Sequence, residues 1–293
     1  MNHHYNSSLS LLTAQQVRVV DALAVHQGIS VEKLMGRAGA EVALEVQRRW
    51  SRRPVTVLCG PGNNGGDGLV AAAELKHKGW PVTVALLGSA NPLSSERWDG
   101  ASVPCTPACI EGAELVIDAL FGIGLDRDIS PELQSLFAKI KKQKIPVLAV
   151  DIPSGIEGNT GQVLGAALKA EVTVTFARKK PGQLLLPGRL YCGEVVVADI
   201  GIPADTYARL QPNLFENGPD LWLDVFPAPG EESNKYARGA LLIGGGAQMT
   251  GAARLAARAA QRAGAGLVTL AVPKEAAPVY AVDLASCIIR SME

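Results

Sequence analysis

Apolar residues in this chain follow two rhythms. Over 12–50 they recur at helical spacing. Leu34, Ala38, Val42 and Val46 share one face of a helix predicted over 31–50. Ser30 is its expected N-cap, and Arg48, Arg49, Arg52 and Arg53 put positive charge where the helix dipole is negative. This stretch reads as a packing helix. From Val55 onward the pattern changes to short, continuous apolar runs at 55–59, 82–87, 115–119, 147–150, 172–176 and 195–198. Runs of that kind predict strands buried on both faces. Helical stretches lie between them at 69–78 and at 131–142, the second opened by Pro131. The alternation predicts an α/β fold: a Rossmann-like, doubly wound, mostly parallel sheet with helices on both faces.

Near Asn217 the texture changes. Gly218, Pro219, Pro227, Pro229 and Gly230, followed by Glu231 and Glu232, predict a linker. Beyond it a strand over 240–243, a glycine turn over 244–246, an Ala/Arg-rich helix over 252–263 and a strand over 267–272 open a second α/β domain. That domain reads as incomplete, because its roughly 60 residues are fewer than most independent α/β domains use. The expected organisation is a first domain over 10–217, a linker over 218–234 and the start of a second domain over 235–293.

Lys plus Arg and Asp plus Glu each number 28, so there is no positive surplus for nucleic acid. A 47% hydrophobic content argues against disorder. No apolar stretch reaches the roughly 18 residues a membrane span needs. The polar first ten residues lack a signal core, which points to the cytoplasm. Cys105 and Cys109 have no second pair at zinc spacing, so the five cysteines read as ordinary thiols of a reducing compartment. His3 and His4 fall in the N-terminal tail, while His26 and His77 are expected on helix surfaces. Histidine triads and histidine-rich metal sites are therefore poor candidates.

Three segments carry chemistry. Asn-Asn-Gly-Gly-Asp-Gly at 63–68 lies between a predicted strand and helix. Gly60, Gly62 and Gly65 satisfy G-x-G-x-x-G, but no acid ends the following strand to hold a ribose, and no Gly-Lys-Ser/Thr marks a P-loop. The amides of Asn63 and Asn64 and the Asp67 carboxylate instead offer ligands beside a bare backbone. In the second segment Asp118 ends an apolar strand, and Gly122, Gly124 and Arg127 follow. A carboxylate next to a core is costly unless paired or coordinated. The third runs Asp151-Ile-Pro-Ser154-Gly. All three lie at carboxyl ends of predicted parallel strands, which share one edge where ligands bind. Asn64, Asp118 and Ser154 would then converge as oxygen ligands of a hard cation. Asp151 is left as the general acid–base. Lys179 and Lys180 read either as phosphate contacts or as solvated surface lysines.

These segments, with Lys-Pro-Gly at 180–182 and Asp-Ile-Gly-Ile-Pro at 199–203, occur in the order of the NAD(P)H-hydrate epimerase family, which residues 10–215 resemble. Asn-Lys-Tyr-Ala-Arg-Gly at 234–239, Ile-Gly-Gly-Gly at 243–246 and Gly-Ala-Gly-Leu-Val-Thr at 264–269 resemble the start of the ADP-dependent NAD(P)H-hydrate dehydratase domain. Gly246 stands where that family has Ser. The resemblance implies a bifunctional repair enzyme that epimerises C6-hydrated NADH and NADPH (NADHX and NADPHX), with the ADP-using half present only as a fragment. It implies potassium at Asn64, Asp118 and Ser154, and Asp151 as the catalytic residue. It also implies substrate contacts at Asn63, Asn64, Gly65, Gly66 and Asp67, at Gly122, Ile123, Gly124, Leu125, Asp126, Arg127 and Asp128, and at Asp151. A homodimer is implied as well. The rival from another class is a non-catalytic nucleotide- or partner-binding module on the same fold. An ordinary NAD-dependent oxidoreductase is disfavoured by the missing ribose acid.

Overall fold

The computed structural model describes residues 9–292; His3 and His4 lie outside them. The chain divides into two compact units between Leu221 and Trp222.

In the first unit the helical N-terminus is two helices, α1 (Ala14–His26) and α2 (Val31–Arg49), preceded by the short strand β1 (Ser10–Leu11). Gly28, at φ +86°, breaks the run, and Ser30 restarts it by accepting the Lys33 N–H. Thr13 and Gln16 close a reciprocal capping box on α1. Next come β2 (Val55–Cys59), α3 (Asn63–His77), β3 (Val82–Leu86), β4 (Ser102–Pro104), β5 (Leu115–Ala119), α4 (Pro131–Gln143), β6 (Val147–Val150) and β7 (Val172–Phe176). The unit ends with α5 (Pro181–Leu184), α6 (Arg189–Cys192), β8 (Glu194–Ala198), α7 (Ala204–Leu210) and β9 (Leu214–Phe215). Seven strands form one parallel sheet in the order β4-β3-β2-β5-β6-β7-β8, and β1 pairs with β9 antiparallel.

Helices cover both faces, as the alternation predicts. Leu34, Val42 and Val46 of α2 and Leu69, Ala72 and Leu75 of α3 pack on Val57, Ile117 and Val150. Leu133, Leu136 and Ile140 of α4 pack on Leu58, Val116 and Ala149 of the opposite face. Strand order reverses at β2 and β5, so the loops leaving their carboxyl ends flank a switch-point crevice.

Helix α3 begins six residues before the stretch read as helical, and the glycine run forms its first turns. Glycine is a poor helix former by about 1 kcal/mol per residue, so propensity alone points the other way. Close packing overrides it. A methyl on Gly68 would sit 2.5 Å from the Ala119 Cβ, and one on Gly39 of α2 would sit 2.4 Å from the Val70 Cβ. The short elements β1, β4, β9 and α7 have too few residues to carry a periodic signal in the sequence.

The second unit has a parallel three-stranded sheet in the order β10 (Ala240–Gly244), β11 (Leu267–Pro273), β12 (Ile288–Met292), with α8 (Gly251–Arg262) and α9 (Ala277–Asp283). Val268, Leu270 and Val272 alternate inward along β11 onto Ala253 and Ala257 of α8 and Tyr280 of α9. Among the described residues no helix is long and apolar enough to cross a membrane. His26 and His77 are exposed in the last turns of α1 and α3.

Candidate active site

The carboxyl edge of the sheet is built by close approaches that only glycine allows. A methyl on Gly60, just past β2, would sit 1.9 Å from the Leu120 carbonyl oxygen, and one on Gly65 would sit 1.8 Å from the Gly60 oxygen. The loop after β5 therefore lies directly against the start of α3.

That loop, residues 120–123, touches all four polar residues singled out in the sequence. The Ile123 N–H donates to Asp151 Oδ2 at 3.0 Å. The Leu120 N–H reaches Asp118 Oδ1 at 3.3 Å, and the Phe121 N–H donates to Ser154 Oγ at 3.0 Å. A methyl on Gly122 would lie 3.0 Å from Asp151 Oδ2 and 3.3 Å from Asn64 Oδ1. Residues 87 positions apart in sequence, Asn64 and Asp151, thus meet at one glycine.

Asp118 and Ser154 are fully buried beneath the loop. Ser154 donates its hydroxyl to Asp118 Oδ1 at 2.6 Å and its N–H to Oδ2 at 2.7 Å. Burial pushes the Asp118 carboxyl up to about 6, against the pull of those Ser154 donors and the Leu120 N–H. Every hydrogen bond to it comes from a neutral donor. Nearby, the Asn64 side-chain nitrogen is buried without a hydrogen-bond partner. A buried carboxylate that meets only neutral donors fits a cation held by oxygen atoms. Among the described residues no three His, Cys, Asp or Glu side chains gather as they would around a transition metal.

Asp151 follows β6 directly and adopts φ +66°, a left-handed conformation uncommon outside glycine. Its N–H donates to the Val174 carbonyl at 2.7 Å, and its carbonyl accepts from Gln183 Nε2 at 2.6 Å. Oδ1 accepts from Lys180 Nζ at 2.6 Å and from the Thr175 hydroxyl at 3.1 Å. Lys180 departs from both readings offered for it. Lys180 is 1% exposed and points inward, while Lys179 pairs with Glu216 at 2.8 Å.

Asn64, Asp151 and Lys180 floor a cavity of about 550 Å³, a size typical of small-molecule sites, while Asp118 and Ser154 stay buried outside its lining. Asn63, Asn64, Asp67, Gly122, Ile123, Gly124, Leu125, Asp126, Arg127, Asp151 and Lys180 line it. Three residues expected at the substrate lie elsewhere. Gly65 and Gly66 are buried under the turn, against Gly60 and Met35, and the Gly66 N–H is used by the Gly62 carbonyl. Both glycines serve close packing there. Asp128 is exposed outside the lining.

The walls were not legible as such in the sequence. Val31, Leu34, Met35 and Ala38 make α2 more than a packing helix, and α1 adds Val17, Arg18 and Asp21. Burial raises the carboxyls of Asp21 and Asp67; Asp151 adds to the rise in both, while Lys180 opposes it. Thr175 and Lys180 carried only a faint signal: a hydroxyl in an otherwise apolar strand, followed by basic residues.

Residues 31–182 match the family described as YjeF-related protein N-terminus, and residues 240–292 match the family described as NAD(P)H-hydrate dehydratase. The bifunctional NAD(P)H-hydrate repair enzyme Nnr of Coxiella burnetii is 37% identical over 281 residues, covering 90% of this chain and 57% of the relative. The NAD(P)H-hydrate epimerase of Limosilactobacillus fermentum is 38% identical over 198 residues, covering 64% of this chain and 95% of the relative. The crystal structure of the yeast protein YNL200c shares the fold, with a TM-score of 0.60 at 22% identity over 71% of this chain and 97% of that one. The chain spans about half the length of the bifunctional relatives it matches, 57% and 54% for two of them.

Proposed function

The chain belongs to the YjeF-related N-terminal family, and from that premise we propose that its first unit epimerises C6-hydrated NADH and NADPH, converting R and S hydrates into one another. The observation that carries this reading is the 120–123 loop, which holds Asn64 and Asp151 at the cavity and Asp118 and Ser154 buried behind its own backbone.

The hydrate carries a hydroxyl on the carbon next to the ring nitrogen, so it is a carbinolamine. Inversion proceeds by loss and return of hydroxide or by ring opening and closure, and either route moves a proton at oxygen. Asp151 is the residue for that transfer. Its Oδ1 is occupied by Lys180 and Thr175, whereas Oδ2 accepts a single backbone N–H and retains a lone pair beside Gly122. Val17, Leu34, Met35 and Phe176 offer apolar wall to the nicotinamide ring, and Arg18 and Arg127 offer donors to the phosphates. Asn64, Asp118 and Ser154 would hold potassium, which when bound supplies a fixed charge that orders loop and nucleotide oxygens.

The test is incubation with the R hydrate and chromatography of the products, in potassium chloride and in choline chloride. Formation of the S hydrate, faster in potassium, is expected. Saturable binding without interconversion would leave only the binding-module reading. Asp118→Asn is expected to lower the rate about 10–100-fold and to remove the response to potassium. A variant that potassium still stimulates would disconnect Asp118 from the ion.

The second unit reads as part of a dehydratase domain that uses ADP to return the S hydrate to NAD(P)H. Its three-stranded sheet leaves Leu241 and Leu242 exposed. No ADP-dependent production of NADH is expected from these 293 residues, monitored by absorbance of the reduced coenzyme. Any ADP-dependent rise would overturn that expectation. A homodimer in the cytoplasm completes the reading; the five free thiols suit that compartment, and analytical sedimentation reports the dimer.

A further inference from the structure

We propose that Lys180 is a positioning residue for Asp151, fixing which carboxylate oxygen faces the substrate. The inference rests on the epimerase reading and deepens it. Lys180 is among the most deeply buried large side chains of the molecule. Its Nζ donates three hydrogen bonds: to Asp151 Oδ1 at 2.6 Å, to the Thr175 hydroxyl at 2.6 Å and to the Phe176 carbonyl at 3.0 Å. Those are all the donors an ammonium has, so none remains for a ligand. The Thr175 hydroxyl passes its own proton donation to the same Oδ1 at 3.1 Å. Oδ1 is thereby closed off, and the free lone pair belongs to Oδ2, next to Gly122.

The same short turn also grips the backbone of Asp151. The Lys180 N–H donates to Gln183 Oε1 at 2.8 Å, and Gln183 Nε2 donates to the Asp151 carbonyl at 2.6 Å. A left-handed residue is thus held from its carbonyl and its carboxylate by two side chains three positions apart. The surroundings make a cation necessary there. Asp21 from α1, Asp67 from α3 and Asp126 from the loop line the cavity with Asp151. Of its three basic residues, Arg18, Arg127 and Lys180, only Lys180 bonds Asp151. Without that contact only the Thr175 hydroxyl and the Ile123 N–H hold the Asp151 carboxylate against its acidic neighbours.

The experiment compares Lys180→Met, Lys180→Ala and Thr175→Val with the wild-type chain. Loss of the lysine is expected to lower kcat about 10²-fold, and loss of the hydroxyl about tenfold, with KM changed by less than about threefold in both. Ethylammonium in the medium is expected to restore Lys180→Ala saturably and to leave Asp151→Asn unaffected. Wild-type kcat in Lys180→Met, or a loss carried wholly by KM, overturns the proposal. If the lysine variants do not fold, an unchanged kcat in Thr175→Val overturns it alone. A crystal structure of either variant reads the claim without activity: an Asp151 carboxylate in its original orientation would defeat it. An inactive wild-type chain would strike the epimerase reading, and that structure would still decide the positioning claim.

Discussion

Replacing Asp151 with asparagine is expected to slow hydrate interconversion about 10²–10⁴-fold, the usual contribution of a placed general acid–base. The substitution keeps the size of the side chain and removes its ability to exchange a proton. It also cannot satisfy its neighbours. Lys180 and Thr175 donate to one oxygen, and the Ile123 N–H donates to the other. An asparagine has one acceptor oxygen, so either the Lys180 side or the Ile123 N–H faces an NH₂ group. A stability loss of about 1–3 kcal/mol is therefore expected as well, the cost of a buried donor left without a partner. The two effects separate by measurement. Activity is assayed on folded protein well below the melting temperature, and substrate binding is followed by calorimetry. Interconversion at the wild-type rate would remove Asp151 from the chemistry, whatever happens to the melting point.

The second large effect is on folding. Gly65→Ala is expected to cost about 3 kcal/mol or more, at the upper end for overpacking. The added methyl would sit 1.8 Å from the Gly60 oxygen, 2.6 Å from its carbonyl carbon and 2.8 Å from its nitrogen. These are backbone atoms with no rotamer to yield, so the first turn of α3 must lift off the β2 loop and take Asn64 with it. Gly62→Ala is the matched control. It sits at the N-cap, a methyl there would meet nothing within 4 Å, and its φ of −86° suits any residue. Loss of glycine at an N-cap costs little, about 0.5–1 kcal/mol. Urea unfolding of the two variants decides the matter: equal midpoints would mean that the close approach at Gly65 is not what shapes the site.

How far the site was legible follows from what each signal measures. The strands 55–59, 115–119 and 147–150 stood out because a parallel strand buried on both faces is apolar without interruption. The carboxylates at their ends stood out because they interrupt that apolarity. Asn64, Asp118, Asp151 and Ser154 were therefore found together from spacing and topology, and they do meet at the 120–123 loop. The glycine run reads as a ligand-facing loop because the chemistry of exposed backbone and that of close packing use the same residue. Gly65 and Gly66 belong to the second kind. Helix α2 looked like packing because its apolar face is periodic, and periodicity does not distinguish a face set on a core from one that also walls a cavity.

By itself the sequence determined the order of the main strands and long helices, the edge of the sheet at which the polar loops emerge, and the residue types available there. Those follow from local burial and from the rule that parallel strands share a carboxyl edge. Only the tertiary structure decided that Lys180 turns inward to Asp151, 29 residues away, and that α1 brings Arg18 and Asp21 over the cavity. Which distant charge meets a carboxylate is a through-space choice, made by desolvation and hydrogen-bond geometry after the sheet has formed. No pattern along the chain encodes it.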